Sequence, residues 1–410
     1  MATLIRPFRA LRPAPAAAAS VAAPPYDVLS SAEARLRAVG KPNSFLHISK
    51  PEIDLPADTD PYAPAVYAKA AETLQMMVAK GVLIRDAAPH YYIYRLRMGD
   101  HVQTGFAATA SVAAYDVNRI RKHEFTRPDK EDDRVRQIEA LNAQTGPVLL
   151  VYKAQKDVQA IIDGVTGTPP LYDVTADDGI VHTLWRMDDA AATDRLTKLV
   201  DAMDALYICD GHHRSAAASR VAAARRGKTQ SDSNAYFLTV AFPHDQTRIF
   251  DYNRVARDLN GLTPAAFLAK VKERFAVSPA AGPVKPDKPM RFGMYLGGAW
   301  YGLDIHPHLV PAHDPVARLD VSLLQDNLIA PILGINDPRR DKRIDFVGGI
   351  RGLGELEKRV DSGEMQVAFA LHPTTLEQLI AVADAGQVMP PKSTWFEPKL
   401  ADCLVSHVLD

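Results

Sequence analysis

Short apolar runs alternate with stretches of helical period along the whole chain, and this alternation restricts the possible architecture more than any other feature. Residues 91–98, 104–115, 148–152, 205–209 and 236–242 are rich in aromatic, β-branched and small apolar side chains, as buried strands require. Between them, 67–80, 190–203 and 215–225 repeat apolar or alanine positions at helical spacing. Strands and helices in alternation predict an α/β fold, with α+β as the variant, built on a mixed sheet. No internal repeat is visible.

Glycine and proline punctuate these segments. Ile5-Arg6-Pro7-Phe8 reads as a first strand and turn, and Pro24-Pro25 forces an extended entry into Tyr26-Asp27-Val28. Gly81 suits a helix C-terminal cap, Gly99-Asp100 a turn, and Gly297-Gly298 the tip of a hairpin between 292–296 and 300–305. Thr263-Pro264 opens a helix, 321–333 forms another, and Thr374 with Glu377 makes a capping box for a third. The stretch 279–289, rich in Pro, Gly and Lys, is the best boundary. It divides a core over 1–280 from a smaller α/β region over 290–410.

Charge and cysteine usage exclude several classes. A net charge of -1 argues against a general nucleic-acid binder and a polybasic membrane anchor. Cys209 and Cys403 are the only cysteines, which removes a disulfide framework and a thiolate zinc cluster and suits a reducing compartment. No apolar run approaches the roughly 20 residues that span a bilayer. Arg6, Arg9, Arg12 and the alanine tract 16–19 imitate a transit peptide, but the strand signal at 5–8 competes with that. A soluble cytoplasmic protein is expected, with the oligomeric state left open, a homo-oligomer included.

The chemistry concentrates where the strand ending at Cys209 runs into Asp210-Gly211-His212-His213-Arg214 and then an alanine-rich helix. Free N–H groups and the positive dipole end of that helix favour an anion. Gly211 permits a tight turn, Arg214 can grip a phosphate bidentately, and His212 and His213 can donate hydrogen bonds or move a proton. Asp210 can orient a histidine, hold magnesium or accept a proton. The plain alternative is a helix capped by Asp210 with its histidines in solvent. Zinc is disfavoured, because adjacent histidines do not easily share one ion and no third ligand stands at helical spacing.

A second cluster, 121–136, packs acids and bases together. Thr126-Arg127-Pro128 argues against a simple exposed helix and for a loop between strands. Glu124 or Asp132 would bind magnesium there, and Arg127 and Lys130 would meet phosphate. Asn142 and Gln144, in the polar stretch 142–147, are candidates to line the site. So are Tyr26 and Asp27 on their stiff loop, and Lys392 and Ser393 in the aperiodic segment 389–399. Trp395 and Phe396 read as core anchors and Cys209 as a small buried hydrophobe. The glycine-rich 346–352 fits neither Walker nor Rossmann spacing.

Taken together, Pro24-Pro25-Tyr26-Asp27-Val28, Arg127-Pro128-Asp129-Lys130-Glu131-Asp132-Asp133-Arg134, Asp210-Gly211-His212-His213-Arg214 and Pro391-Lys392-Ser393-Thr394-Trp395-Phe396 resemble the bacterial and archaeal family called domain of unknown function ten-fifteen. The strand–Gly-x-His-Arg–helix element is also similar to the phosphate-binding box of the ParB/sulfiredoxin superfamily, which includes SerK-type free-serine kinases. That resemblance implies a ParB/sulfiredoxin-like core holding a nucleotide, ATP or ADP, on 211–214 with magnesium. The chain departs from sulfiredoxin, since His212 stands where the reactive cysteine would be. It departs from ParB in having no evident DNA-binding helix-turn-helix. The expected function is phosphoryl transfer from a nucleotide to a small metabolite. Hydrolysis of a phosphorylated metabolite such as phosphoserine is the alternative, as is a nucleotide-binding regulator that does no chemistry.

Overall fold

The computed structural model describes residues 3–410. The chain forms two compact units: one of residues up to Thr247 together with Pro398–Asp410, the other Arg248–Glu397. The segment 279–289 is therefore not the boundary. Its first proline, Pro279, falls in the strand Phe275–Ala280, which pairs only with Ala299–Ile305 at the end of a sheet. Such an edge tolerates a residue without an N–H.

Among the described residues, nine strands make the main sheet of the first unit. They are β1 (Ile5–Arg6), β2 (Tyr92–Met98), β3 (His101–Ser111), β4 (Ile120–Arg121), β5 (Val148–Tyr152), β6 (Tyr172–Thr175), β7 (Val181–Arg186), β8 (Leu206–Asp210) and β9 (Tyr236–Pro243). Their order is β4-β8-β5-β9-β3-β2-β7-β6, with β1 against β3. The pairs β4–β8 and β5–β9 are parallel and the rest antiparallel, so the sheet is mixed and the class is α/β. The central strands β5 and β9 are buried along their whole length, as their unbroken apolar sequences require. Ile93, Phe106, Leu150, Ile208 and Phe237 belong to the core built on this sheet. A smaller sheet joins Leu83–Arg85, Ala10–Pro13, Ser406–Val408 and Ala143–Gln144 in that order, so the last residues of the chain are stitched into the first unit.

Helix α1 (Pro64–Ala79) presents Ala70, Leu74 and Met77 to a second core of this unit. Helix α2 (Pro128–Leu141) corrects the loop expected over the charged stretch. Arg127 is extended, as a residue before proline must be, but Pro128 sits at the first helical position, where its missing N–H costs nothing. Asp129 and Glu131 in the first turn suit the helix dipole. Helix α3 (His212–Arg225) follows β8. The strand expected over 104–115 stops at Ser111, whose hydroxyl caps a short helix by accepting from the Ala114 amide.

The second unit holds a six-stranded antiparallel sheet among its described residues. The hairpin expected around Gly297-Gly298 forms between Arg291–Leu296 and Ala299–Ile305. The capping box lies one residue later than expected, on Thr375 and Gln378. The helix expected over 321–333 is broken by a π-helical turn at Gln325–Ile329.

Candidate functional site

Strand β8 is flanked by β4 on one side and β5 on the other, and this decides what surrounds its C-terminal end. Because β4 runs parallel to β8, with Leu206 opposite Ile120 and Tyr207 opposite Arg121, residues following Arg121 meet those following Asp210. Because β5 runs antiparallel to β8, the residues just before Val148 reach the same end from the other side.

Gly211 makes the turn into α3 at φ +94, a left-handed conformation that L side chains rarely adopt. A Cβ there would stand 3.1 Å from Arg214 Nε and 3.3 Å from Val148 Cα. No side chain caps the helix at Gly211, so Asp210 is not the helix cap of the plain alternative. It accepts instead from Arg214 Nη2 at 2.9 Å, and Lys399 Nζ lies 3.8 Å away. Burial alone would raise the Asp210 carboxyl; Lys399, Arg214 and His212 outweigh it and hold the group at about 2. Arg214 also donates to the Pro147 carbonyl, while its Nε is buried without a partner. Burial opposes its charge, but Asp210, Asp27, Tyr26 and Asp402 keep it protonated.

Beside Arg214 lies a cleft whose polar lining includes Tyr26, Arg134, Gln144 and Asp402. The Arg134 guanidinium stacks 3.7 Å from the centre of the Tyr26 ring and bonds Asp133 at 2.6 Å. Asp402 is buried, its Oδ1 has no hydrogen-bond partner, and burial pushes its carboxyl up to about 7 despite Arg214 and Arg134. Asp402, Arg134 and Lys399 had no assigned role in the sequence. Asp402 and Lys399 lie almost two hundred positions from Asp210, with no motif of their own, and only the folding of 398–410 onto the first unit reveals them.

The β4 side is different in kind. His212 is 5% exposed and His123 is 2% exposed, their ring centroids 4.5 Å apart and edge to face. Burial pushes His123 down to about 4 and His212 well below the ordinary range, so both imidazoles are neutral. Glu124 Oε2 stands 3.8 Å from His212 Nδ1. A third ligand therefore does stand beside His212, on a neighbouring strand's loop and not at helical spacing.

His213 points elsewhere. Its Nε2 accepts from the Arg127 amide at 3.0 Å, which places the proton of the neutral ring on Nδ1. Burial lowers its pKa as well. The Arg127 guanidinium bonds Asp129 at 2.8 Å, and Lys130 donates to the Tyr62 hydroxyl at 2.6 Å, so each cation has a partner outside the 210–214 turn. Asp132 pairs with Arg220 at 2.7 Å, so it shares no site with Glu124, and the two do not fit a common magnesium ion. Asn142 caps α2 in the left-handed conformation and is bonded to Leu409 and Arg225. Gln144 spends its amide on Leu238 and Tyr236, although it lines the cleft. Asp27 adds charge near Arg214 from the short turn Tyr26–Val28. Lys392 and Ser393 belong to the second unit, where Lys392 Nζ lies 5.5 Å from the centre of the Tyr252 ring and Ser393 bonds Pro390.

A family model matches residues 5–322. The chain belongs to that family, Protein of unknown function (DUF1015). Comparison with curated proteins gives no match for this DUF1015 member. Among solved structures, it is similar to a free serine kinase in complex with AMP, at 12% identity over 73% of this chain and 92% of that one, TM-score 0.35. A conserved hypothetical protein from Pyrococcus furiosus is 13% identical over 72% of this chain and 94% of that one, TM-score 0.34. SbnI with a C-terminal truncation, from Staphylococcus aureus, is 12% identical over 72% and 84%, TM-score 0.38. Scores this low carry no argument about chemistry. Among the described residues, no helix is long and apolar enough to cross a membrane.

Proposed function

We propose that the chain holds a nucleotide, ATP or ADP, by its phosphates at the start of α3 and transfers a phosphoryl group to a small polar acceptor in the adjoining cleft. The observation that carries this is the uncapped N-terminus of α3 beside a cleft where Arg214 Nε and Asp402 Oδ1 are both buried and unsatisfied. Buried polar atoms are nearly always paired, and a donor and an acceptor left open in one cleft suit a ligand that brings the complements. The N–H groups of the first turn and the charge on Arg214 neutralise phosphate oxygens, which is most of what phosphoryl transfer asks of a protein. The similarity of Gly211-His212-His213-Arg214 to the ParB/sulfiredoxin box supports the same assignment.

Asp210 is ion-paired and held low, so it serves as a fixed negative charge and not as the base. Asp402, placed near neutrality, is the better proton acceptor. As the acceptor hydroxyl attacks the terminal phosphorus, its proton passes to Asp402 and the bond to the leaving nucleotide breaks, releasing a nucleoside diphosphate from ATP or a monophosphate from ADP. His213 Nδ1–H is a further donor for phosphate. Magnesium belongs to this reading as the nucleotide's own counter-ion.

Thermal melts with ATP, ADP, AMP, phosphoserine and inorganic phosphate, each with and without magnesium, test the binding step, because a ligand that binds only the folded state raises Tm. A rise with ATP and ADP that shrinks in His213→Ala, followed by transfer of labelled phosphate to serine as first acceptor, is expected. A response to phosphoserine alone replaces transfer with hydrolysis. No response to any of these anions overturns the proposal.

A further inference from the structure

We infer that His123, His212 and Glu124 form a binding site for a divalent transition-metal ion of the zinc class, distinct from the magnesium that accompanies a nucleotide and independent of whether a nucleotide binds. Each of the three residues offers one ligand atom, and these atoms all lie within 4.8 Å of one another. The site is built by topology. Parallel β4 and β8 end side by side, so the residues after Arg121 and the first residue of α3 converge from strands far apart in sequence.

His123 supplies the independent observation. It is fully enclosed, and neither ring nitrogen has a hydrogen-bond partner. The ring lies near the Ile208 backbone without reaching bonding geometry at either nitrogen. A neutral imidazole carries one donor and one acceptor, and leaving both unmet in the interior forfeits the hydrogen bonds each had with water. A metal ion takes up the acceptor lone pair that nothing else in the protein uses. His212 stands edge-on to it, with Nε2 a long 3.5 Å from the His123 amide and Nδ1 facing Glu124. The remaining closure falls to the Glu124 side chain, which is 49% exposed.

Ligand chemistry selects the ion. Two imidazole nitrogens and one carboxylate suit zinc, iron(II) or cobalt(II), whereas magnesium prefers oxygen ligands and retained water. Three protein ligands leave at least one coordination position open to water or a ligand oxygen. His213 stands outside the set, since its ring nitrogens are not among the ligand atoms that converge there.

The test uses the full chain, stripped with a chelator and titrated with cobalt(II), with metal content of the untreated protein measured alongside. We expect one equivalent to bind with the intense visible absorption of a low-coordinate site, to be displaced by zinc, and to resist millimolar magnesium. Glu124→Gln, on an exposed side chain that leaves the fold intact, should weaken cobalt binding at least tenfold. His123→Leu should abolish it. Absence of bound metal in both measurements overturns the site, and so does binding that neither substitution alters.

Discussion

The two sides of the 210–214 turn solve burial in opposite ways. Toward β5, most groups are charged and paired: Arg214 bonds Asp210 and Lys399 stands behind Asp210, while Asp402 lies in the field of Arg214 and Arg134 with its Oδ1 open. Toward β4, the groups are neutral and unanswered: His123 has no partner, and His212 has only a long contact and a carboxylate at 3.8 Å. A network of buried charges stands or falls together, whereas a pair of neutral rings can be altered singly. The first arrangement suits a ligand that must neutralise charge, the second an ion that needs lone pairs.

The hardest blow to the charged side is Arg214→Ala. It leaves Asp210 and Asp402 without their shared cation, and removing one partner of a buried pair costs about 3–5 kcal/mol. Urea denaturation should show that loss, and a loss below about 1 kcal/mol would mean the network is not cooperative. Asp402→Asn sharpens the contrast through pH. The folded carboxyl sits at about 7, against about 3.9 for an ordinary aspartate. Between those values, the folded chain keeps a proton that the unfolded chain has released, so this group's contribution to stability falls as pH rises from about 4 to 7. Arg214, Arg134 and Asp27 face the carboxyl and oppose or reinforce the shift. The asparagine variant should therefore be more stable than the parent at pH 8, by about 2 kcal/mol, with the gap closing toward pH 4. Parallel stability curves across that range would contradict the placement of Asp402.

Gly211→Ala forces a side chain into a left-handed turn against Arg214 and Val148, and about 1–2 kcal/mol should be lost in thermal melts. The smallest effect belongs to the neutral side. His123→Leu removes no side-chain hydrogen bond and relieves two unmet buried nitrogens, so the metal-free protein should lose no stability in urea denaturation. A large loss there would reveal a partner for His123 and erase the distinction between the two sides.

The sequence exposed the strand–turn–helix at 205–225 because its signals are local: an apolar run, a glycine that must turn, and alanines at helical spacing. The mixed sheet was legible for the same reason. Helix 128–141 was misread because a proline that blocks a helix from behind also starts one in front of it. Glu124 and Asp132 read as alternatives for one magnesium ion, since one sequence cannot show that Arg220 claims Asp132. His123 and Asp402 carry no local pattern at all. Their role comes from strand adjacency and from a chain segment that returns after a whole unit has intervened.

That return governs the order in which the molecule can be made. Lys399, Asp402 and the strand Ser406–Val408 leave the ribosome after all of Arg248–Glu397, yet they complete the first unit. At about 5–20 residues per second, a nascent first unit waits on the order of ten seconds with Asp210 lacking Lys399 and the cleft lacking one wall. Phosphoryl transfer of the kind proposed here, which relies on Asp402, would thus begin only once the second unit has been synthesised.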